Sequence, residues 1–322
     1  MDNRRELHRK KFNAAIEHGS SSRYLFTPQR LQNYIKRVLN AQEGGKKKDP
    51  RDYALLKKYD VVKMGGDNQY SLVKRNCSYI RYVDSDHLFD TIDEVHSRMC
   101  HKGEKNTHIE LKKTVANITK NQIRIYIEYC RICEETRQRR EKAKRVEKPI
   151  ISTEFGQRGQ MDLIDMRHSG GEYNYIFHYQ DHFTKFSILK RLRSKRAEEV
   201  ADRLFEIFTT FGAPKILQSD NGNEFVGAPV KELMQKYWPD TQLVHGAPRY
   251  PQSQGSIERA NGVVESMLKC IIRESESEDW AENLERIQWA KNMCHHRVIN
   301  MAPYKAVFGQ DPPITMSTVS SN

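Results

Sequence analysis

Apolar residues recur along this chain in two rhythms, and the change of rhythm marks its organisation. After Thr27-Pro28, the positions Leu31, Tyr34, Ile35, Val38 and Leu39 return at helical spacing. Thr27 supplies a capping hydroxyl and Pro28 suits the first helical position. Asp49-Pro50 repeats that start signal for a second helix reaching about Tyr59. Val61 to Met64 and Tyr70 to Val73 are short strand-like runs, and Gly65-Gly66-Asp67-Asn68 between them is a turn signal. Gly44-Gly45-Lys46-Lys47-Lys48 reads as a solvated loop. Two helices and a hairpin rich in Lys and Arg suit either a winged-helix-like DNA-binding module or a small basic packing domain. A second helical region runs from about His87 to Arg140, and the stretch from Arg137 to Lys148 carries seven Lys or Arg before Pro149.

Beyond that basic stretch the period shortens. Met161 to Met166, Tyr173 to Tyr179 and Phe186 to Leu192 are strand-like, separated by Gly170-Gly171 and by Asp181 to Lys185. A helix over Lys195 to Phe211 places Val200, Leu204, Ile207 and Phe208 on one face. Ile216-Leu217 is a short strand, Lys231 to Tyr237 helical, Leu243-Val244 extended, and a long helix begins near Gly255. Three strands, helix, strand, helix, helix is an α/β order that fits one mixed sheet covered by helices. The resulting domains are a basic N-terminal module (1–84), a helical His/Cys domain (85–140), a basic linker (141–150), an α/β domain (151–312) and a tail (313–322).

Charge sharpens this division. Residues 1–150 hold 34 Lys+Arg against 20 Asp+Glu, whereas residues 151–322 hold 20 against 22, so the net charge of +12 belongs to the first half. A basic half beside a near-neutral half points to a polyanionic partner. No apolar run approaches the ~18 residues that span a bilayer, and the charged start from Met1 to Lys11 lacks a hydrophobic signal region, so neither a membrane nor secretion is expected.

Three carboxylates stand out by context. Asp162 lies in a strand, in Gln160-Met161-Asp162-Leu163. Asp220 follows a strand, in Ser219-Asp220-Asn221-Gly222-Asn223-Glu224-Phe225, where Asn221-Gly222 is a tight-turn dipeptide. Glu258 lies in the first turn of the long helix, behind the polar loop Pro248 to Gly255. On that helix Ile257, Ala260, Val264, Leu268 and Ile271 form the apolar face, and Glu258, Gly262, Glu265 and Lys269 another. Phosphodiester transfer needs an activated oxygen nucleophile and a stabilised leaving oxygen, which two divalent ions ~3.5–4 Å apart supply. Hard Mg²⁺ or Mn²⁺ prefers carboxylate and water oxygens. With 42 acidic residues, three acids alone carry little weight, and surface carboxylates are the plain alternative.

The motifs change that balance. The segment Ser219 to Phe225 closely resembles the central motif of retroviral and retrotransposon integrase cores, and Tyr250 to Asn261 resembles the motif around the third acid. Asp162 matches the first acid, with Asp165 as a rival. The 57 residues between Asp162 and Asp220, and the 37 between Asp220 and Glu258, are similar to the family's D,D-35-E spacing. Asp181 in Gln180-Asp181-His182-Phe183-Thr184 resembles the family's structural second-strand aspartate, and Phe211 to Pro214, Ala302-Pro303-Tyr304 and Phe308-Gly309 resemble flanking segments. Within the family the chain is most similar to mobile-element-derived KRAB-A-domain-containing or SCAN-domain-containing integrase-like proteins. The resemblance implies a ribonuclease-H-like fold and a metal-dependent polynucleotidyl transferase. Asp162, Asp220 and Glu258 would be catalytic and hold Mg²⁺ or Mn²⁺. It also implies DNA as donor end and target, a homo-oligomer and a nuclear location. A DNA-binding protein domesticated from a transposon, or a related nuclease on the same fold, are the competing functions.

Of six cysteines only Cys130 and Cys133 form a C-x-x-C. His96-x4-His101, then 28 residues, then Cys130-x2-Cys133 fits a tetrahedral zinc site and resembles the integrase H-H-C-C domain, with His108 and Cys100 as competing ligands. Two departures from the family stand out. About a dozen residues follow Gly309, so no β-barrel is expected after the core, and Gly262 and Glu265 stand where the family often has DNA-contacting lysines.

Overall fold

The computed structural model describes residues 2–18, 25–42, 50–63, 70–136, 150–246, 255–275 and 279–311. The loops expected at 44–48 and 65–68, the basic stretch 137–148, most of the loop 248–255 and the tail 313–322 lie outside the described residues. The chain divides into one unit over Met1–Glu135, with Ser317–Asn322, and a second over Thr136–Met316.

The first unit opens with helix α1 (Asp2–His18), which the sequence reading did not anticipate. Its few apolar residues include Phe12 and Ile16, one turn apart and buried. Helix α2 (Pro28–Gln42) starts as predicted, with Thr27 Oγ1 accepting from the Arg30 amide at 3.2 Å. Helix α3 (Pro50–Leu56) is shorter than expected, because the chain turns at Lys57-Lys58 and Tyr59 begins strand β1 (Tyr59–Lys63). Strands β2 (Tyr70–Lys74) and β3 (Cys77–Arg81) complete an antiparallel sheet in the order β1-β2-β3. The third strand lacked a sequence signal, since Ser78, Tyr79 and Arg81 are exposed and no apolar alternation marks it. Asn76 takes the left-handed conformation that turns β2 into β3.

Four helices follow: α4 (Ser85–Arg98), α5 (Glu104–Leu111), α6 (Lys120–Tyr129) and α7 (Arg131–Glu135). Asp84 caps α4 by accepting from the His87 amide at 3.0 Å, and Thr119 and Gln122 form a reciprocal capping box on α6. Helix α1 lies against α4 and α6, with Phe12, Phe89 and Tyr126 in mutual edge or tilted contact at 5.4–6.0 Å between ring centroids. Arg5 and Arg9 on α1 pair with Asp90 at 2.8 and 2.5 Å, and Arg5 also with Asp93 at 2.9 Å.

The second unit is built on strands β4 (Arg158–Asp165), β5 (Tyr175–Asp181) and β6 (Ser187–Leu192), helix α8 (Ala197–Phe211) and strand β7 (Ile216–Ser219). Helices α9 (Asn223–Val226) and α10 (Ala228–Tyr237), strand β8 (Gln242–His245), and helices α11 (Gly255–Ser275), α12 (Leu284–Met293) and α13 (Pro303–Phe308) complete it. The sheet order is β6-β5-β4-β7-β8, with β4-β5-β6 antiparallel and β4-β7-β8 parallel. This is the mixed five-stranded sheet that the strand order predicted.

Strand alternation gives the sheet two faces. Met161, Tyr175, Phe177, Tyr179, Ile188 and Leu192 join Val200, Leu204 and Phe208 of α8 and Val230 and Met234 of α10 in one core. Asp162, His178, Gln180 and Ser187 point to the other face, on which α11 packs against β4. Strand β6 is a sheet edge, where backbone groups otherwise stay unpaired. Here α12 satisfies them: Asn292 Oδ1 accepts from Ser187 N at 2.9 Å, its Nδ2 donates to Ser187 O at 2.8 Å, and Gln288 Oε1 accepts from Leu189 N at 2.6 Å.

Candidate active site and metal centre

Parallel register brings two of the acids side by side. Arg158 pairs with Ile216 and Gln160 with Gln218, so continuing the same register sets Asp162 level with Asp220 at the carboxyl ends of adjacent strands. Neighbouring strands lie ~4.8 Å apart. Asp220 is exposed, and its Oδ1 accepts from the Gly222 amide at 2.9 Å, the turn role expected of Asn221-Gly222. Glu258 is exposed in the first turn of α11, where the helix dipole favours a carboxylate. Three residues further on, Asn261 Nδ2 donates to Asp162 Oδ2 at 2.8 Å, which ties that helix face to the β4 carboxylate.

Asp162 is half-buried, and its other oxygen accepts from the Leu163 amide at 2.8 Å. Burial pushes its carboxyl up to about 6, and the charges of Asp220 and Glu258 add to the rise against the bonds from Leu163 and Asn261. Among the described residues none of the three carboxylates forms an ion pair. The rival, Asp165, stands at an odd offset from Asp162 and so on the opposite strand face. It is exposed, pairs with Arg167 at 2.6 Å, and is held down to about 2 by that guanidinium. Asp181 is buried at the β5–β6 turn, where Oδ1 accepts from Thr184 N at 2.7 Å and Oγ1 at 2.6 Å, and Oδ2 from Gly156 N at 3.0 Å. Lys185 Nζ donates to Ser256 Oγ at 3.1 Å, two residues before Glu258, and burial lowers it to about 8.

Asn261 belongs to a buried set that the sequence did not reveal. Its Oδ1 lies 2.6 Å from His178 Nδ1, and His178 Nε2 lies 3.0 Å from Ser187 Oγ. His178 is fully buried directly opposite Asp162 across the β4–β5 pair, and burial, with Lys291 nearby, pushes it down to about 3. Asn261 closes the Tyr250–Asn261 motif, so its helical offset from Glu258 was a usable signal. His178 stands in no motif and only the strand register exposes it.

The first unit gathers the other predicted set. His96, His101, Cys130 and Cys133 offer ligand atoms that all lie within 4.8 Å of one another, and neither His108 nor Cys100 belongs to this cluster. A Schellman closure explains the His96-x4-His101 spacing. Cys100 N bonds Ser97 O and His101 N bonds His96 O, both at 3.0 Å, with Cys100 left-handed at φ 51°. That motif brings the helix's third-last residue against the second residue beyond its cap, a contact usually made by apolar side chains. Here the contact is between two imidazoles, 4.8 Å apart between ring centroids. His96 Nε2 lies 3.1 Å from Cys133 Sγ, and His101 Nδ1 3.5 Å from Cys130 Sγ. His96 Nδ1 faces Thr107 Oγ1 at 3.5 Å, leaving Nε2 for an ion. Burial lowers His96, keeping it neutral, and the hydrogen bond with Cys133, followed by those with His101 and His96, holds the Cys130 thiol far below its usual range despite burial. Zinc bonds of ~2.0–2.3 Å set tetrahedral ligands roughly 3.3–3.8 Å apart, so the four residues fit such an ion.

A chain in the cryo-EM structure of the simian T-cell lymphotropic virus intasome in complex with PP2A regulatory subunit B56 gamma aligns with 71% of this chain and 76% of its own length, at TM-score 0.52 and 13% identity. The fold is the retroviral integrase fold. No family model matches the chain. KRAB-A domain-containing protein 2 of Homo sapiens is 34% identical over 314 residues, which are 96% of this chain and 63% of that protein. The transposon Tf2-3 polyprotein of Schizosaccharomyces pombe (strain 972 / ATCC 24843) is 27% identical over 222 residues, 68% of this chain and 16% of the polyprotein. The chain is homologous to both proteins and spans less than two thirds of either. The integrase fold and the transposon and KRAB-A relatives are those the motifs predicted. No helix among the described residues is long and apolar enough to cross a membrane.

Proposed function

We propose that this protein is a metal-dependent polynucleotidyl transferase of the integrase type, which processes DNA 3′ ends and joins them to target DNA. The observation that carries this reading is the convergence of Asp162, Asp220 and Glu258 from two strands and a helix, with Asp162 raised to about 6 by burial and by the other two carboxylates. Such uncompensated negative charge with oxygen donors suits Mg²⁺ or Mn²⁺. Divalent ions bound there activate the attacking oxygen and stabilise the leaving one.

The chain's own residues do the rest. Asn261 and the Leu163 amide each hold one oxygen of Asp162, leaving lone pairs on both for a cation. The Gly222 amide orients Asp220. In end processing, a water oxygen attacks the phosphorus and the 3′-oxygen of the cleaved strand leaves. In joining, that 3′-hydroxyl attacks a target phosphodiester and displaces the target's 3′-oxygen. His96, His101, Cys130 and Cys133 hold zinc, which adds folding free energy by tying the end of α4 to the Cys130–Cys133 turn. The basic first half holds DNA phosphates by charge. We assign DNA ends and target as partners, at least two copies per assembly, and the nucleus as the place of action.

The test uses a pool of duplexes with randomised ends and sequencing of the products. Metal-dependent joining, abolished by EDTA, is the expected result. Salt-sensitive DNA binding without any metal-dependent product would instead support a domesticated DNA-binding protein, and cleavage without joining a nuclease.

A further inference from the structure

The buried hydrogen bonds behind Asp162 have a direction. An ionised carboxylate only accepts, so the group of Asn261 that meets Asp162 Oδ2 at 2.8 Å is its Nδ2. Its Oδ1 then faces His178 Nδ1 at 2.6 Å and needs a proton from it. The ring is fully buried, and its hydrogen-bond partners among the described residues, Asn261 and Ser187, are uncharged, so it is neutral and its other nitrogen is an acceptor. Nε2 therefore receives the Ser187 hydroxyl proton across 3.0 Å, and Ser187 Oγ accepts in turn from Gln180 Nε2 at 3.2 Å. Asn292 grips the Ser187 backbone at both N and O, fixing that end of the series to α12. The Lys185 carbonyl is a longer second acceptor for the Ser187 hydroxyl at 3.5 Å and for Gln180 Nε2 at 3.4 Å, so the 3.0 Å contact with His178 is the closer place for the hydroxyl proton. His178, Gln180, Ser187, Asn261 and Asn292 are all buried.

We propose that His178, held in its Nδ1–H form by Ser187, is a positioning residue for Asp162 that acts by fixing which end of the Asn261 amide faces the carboxylate. Without the Nδ1 donor, Asn261 Oδ1 is left unpaired in a buried site and the amide is held from the carboxylate side alone. The donor to Asp162 Oδ2 is then less firmly placed, and the carboxylate loses part of its fixed orientation. The role of Asp162 as metal ligand rests on the function proposed above, whereas the state of the ring does not.

Two measurements test this. Selective ¹⁵N-histidine NMR of the zinc-loaded full chain without Mg²⁺ or Mn²⁺ at pH 7, with His178 assigned by its loss in His178→Asn, should show a protonated Nδ1 and an unprotonated Nε2. The Nε2–H form, or rapid averaging of the two, would overturn the proposal. Calorimetric Mn²⁺ titration then compares variants. His178→Leu should weaken Mn²⁺ binding by roughly 10–100-fold, the usual effect of removing a ligand's hydrogen-bonded support. His178→Asn returns an N–H donor near the Nδ1 position and should stay within about threefold of wild type. Equal Mn²⁺ affinity in folded His178→Leu and wild type would overturn the inference, as would equal loss in both variants. If the wild type binds no Mn²⁺, the triad reading fails instead. The Asp162 carboxyl ¹³C shift then decides the inference: His178→Leu should move it, and an unmoved signal overturns it. Should His178→Leu not fold, the wild-type ring spectrum still decides.

Discussion

Acidification from pH 8 to pH 5 should weaken divalent-cation binding at the acidic site by about an order of magnitude. The magnitude follows from Asp162, whose carboxyl is raised to about 6 by burial first and then by Asp220 and Glu258. A cation and a proton compete for that group, so the apparent dissociation constant scales as one plus ten to the power of pKa minus pH. The factor is close to one at pH 8, about four at pH 5.5 and about eleven at pH 5, or ~1.4 kcal/mol. A carboxylate titrating near its ordinary ~3.9 would change affinity by less than ~10% over the same range. The assay is Mn²⁺ calorimetry on the zinc-loaded full chain at constant ionic strength, repeated in buffers of different ionisation enthalpy. About 0.9 proton should be released per site at pH 5 and almost none at pH 8. An affinity that changes less than twofold between the two pH values would refute the electrostatic reasoning. In zinc-loaded protein without Mg²⁺ or Mn²⁺, Asp220→Asn and Glu258→Gln should each lower the Asp162 titration midpoint, read from its carboxyl ¹³C shift.

The same shift bears on stability. Because the folded value of Asp162 lies above the unfolded one, its contribution is fully present below about pH 3.8 and is lost as pH rises through about 6. The loss approaches ~3 kcal/mol at neutral pH, so Mn²⁺ should raise the melting temperature of the second unit more at pH 8 than at pH 5. Cys133→Ser should lose stoichiometric zinc and unfold the first unit at a lower temperature, as read by metal analysis and circular dichroism; full zinc retention would contradict the assignment. Gly159→Ala should cost ~1–3 kcal/mol in chemical denaturation, since a Cβ there would sit 2.5 Å from the buried ring of Tyr179. Asp181→Ala should cost a similar ~2–4 kcal/mol, because it strands the Thr184 and Gly156 amides and the Thr184 hydroxyl.

Local signals were enough to put the three acids at their strands and helix and to pick out the four His and Cys residues that the fold brings together. Strand alternation and the Asn221-Gly222 turn placed Asp162 and Asp220, and the helical stripe led by Ile257 and Ala260 left Glu258 on an open face. The His96–His101 spacing was legible as metal chemistry, although its cause, a Schellman closure with Cys100 left-handed, was not. Helix α1 went unseen because its stability comes from Asp90, Asp93, Phe89 and Tyr126, some 80 to 120 residues away in sequence. Strand β3 went unseen because its outward residues are polar and exposed. His178, Ser187 and Asn292 escaped for a related reason: none stands in a motif, and only strand register and the packing of α11 and α12 bring them behind Asp162.

Joining of DNA ends by wild type against Asp220→Asn, in Mg²⁺ and in Mn²⁺, tests the shared Asp162–Asp220–Glu258 site most directly. Loss of one carboxylate should remove several kcal/mol of charge stabilisation, lowering product by about two orders of magnitude or more. DNA binding and the zinc content of the first unit should stay at wild-type levels. Full joining activity in Asp220→Asn would contradict the assignment of that site.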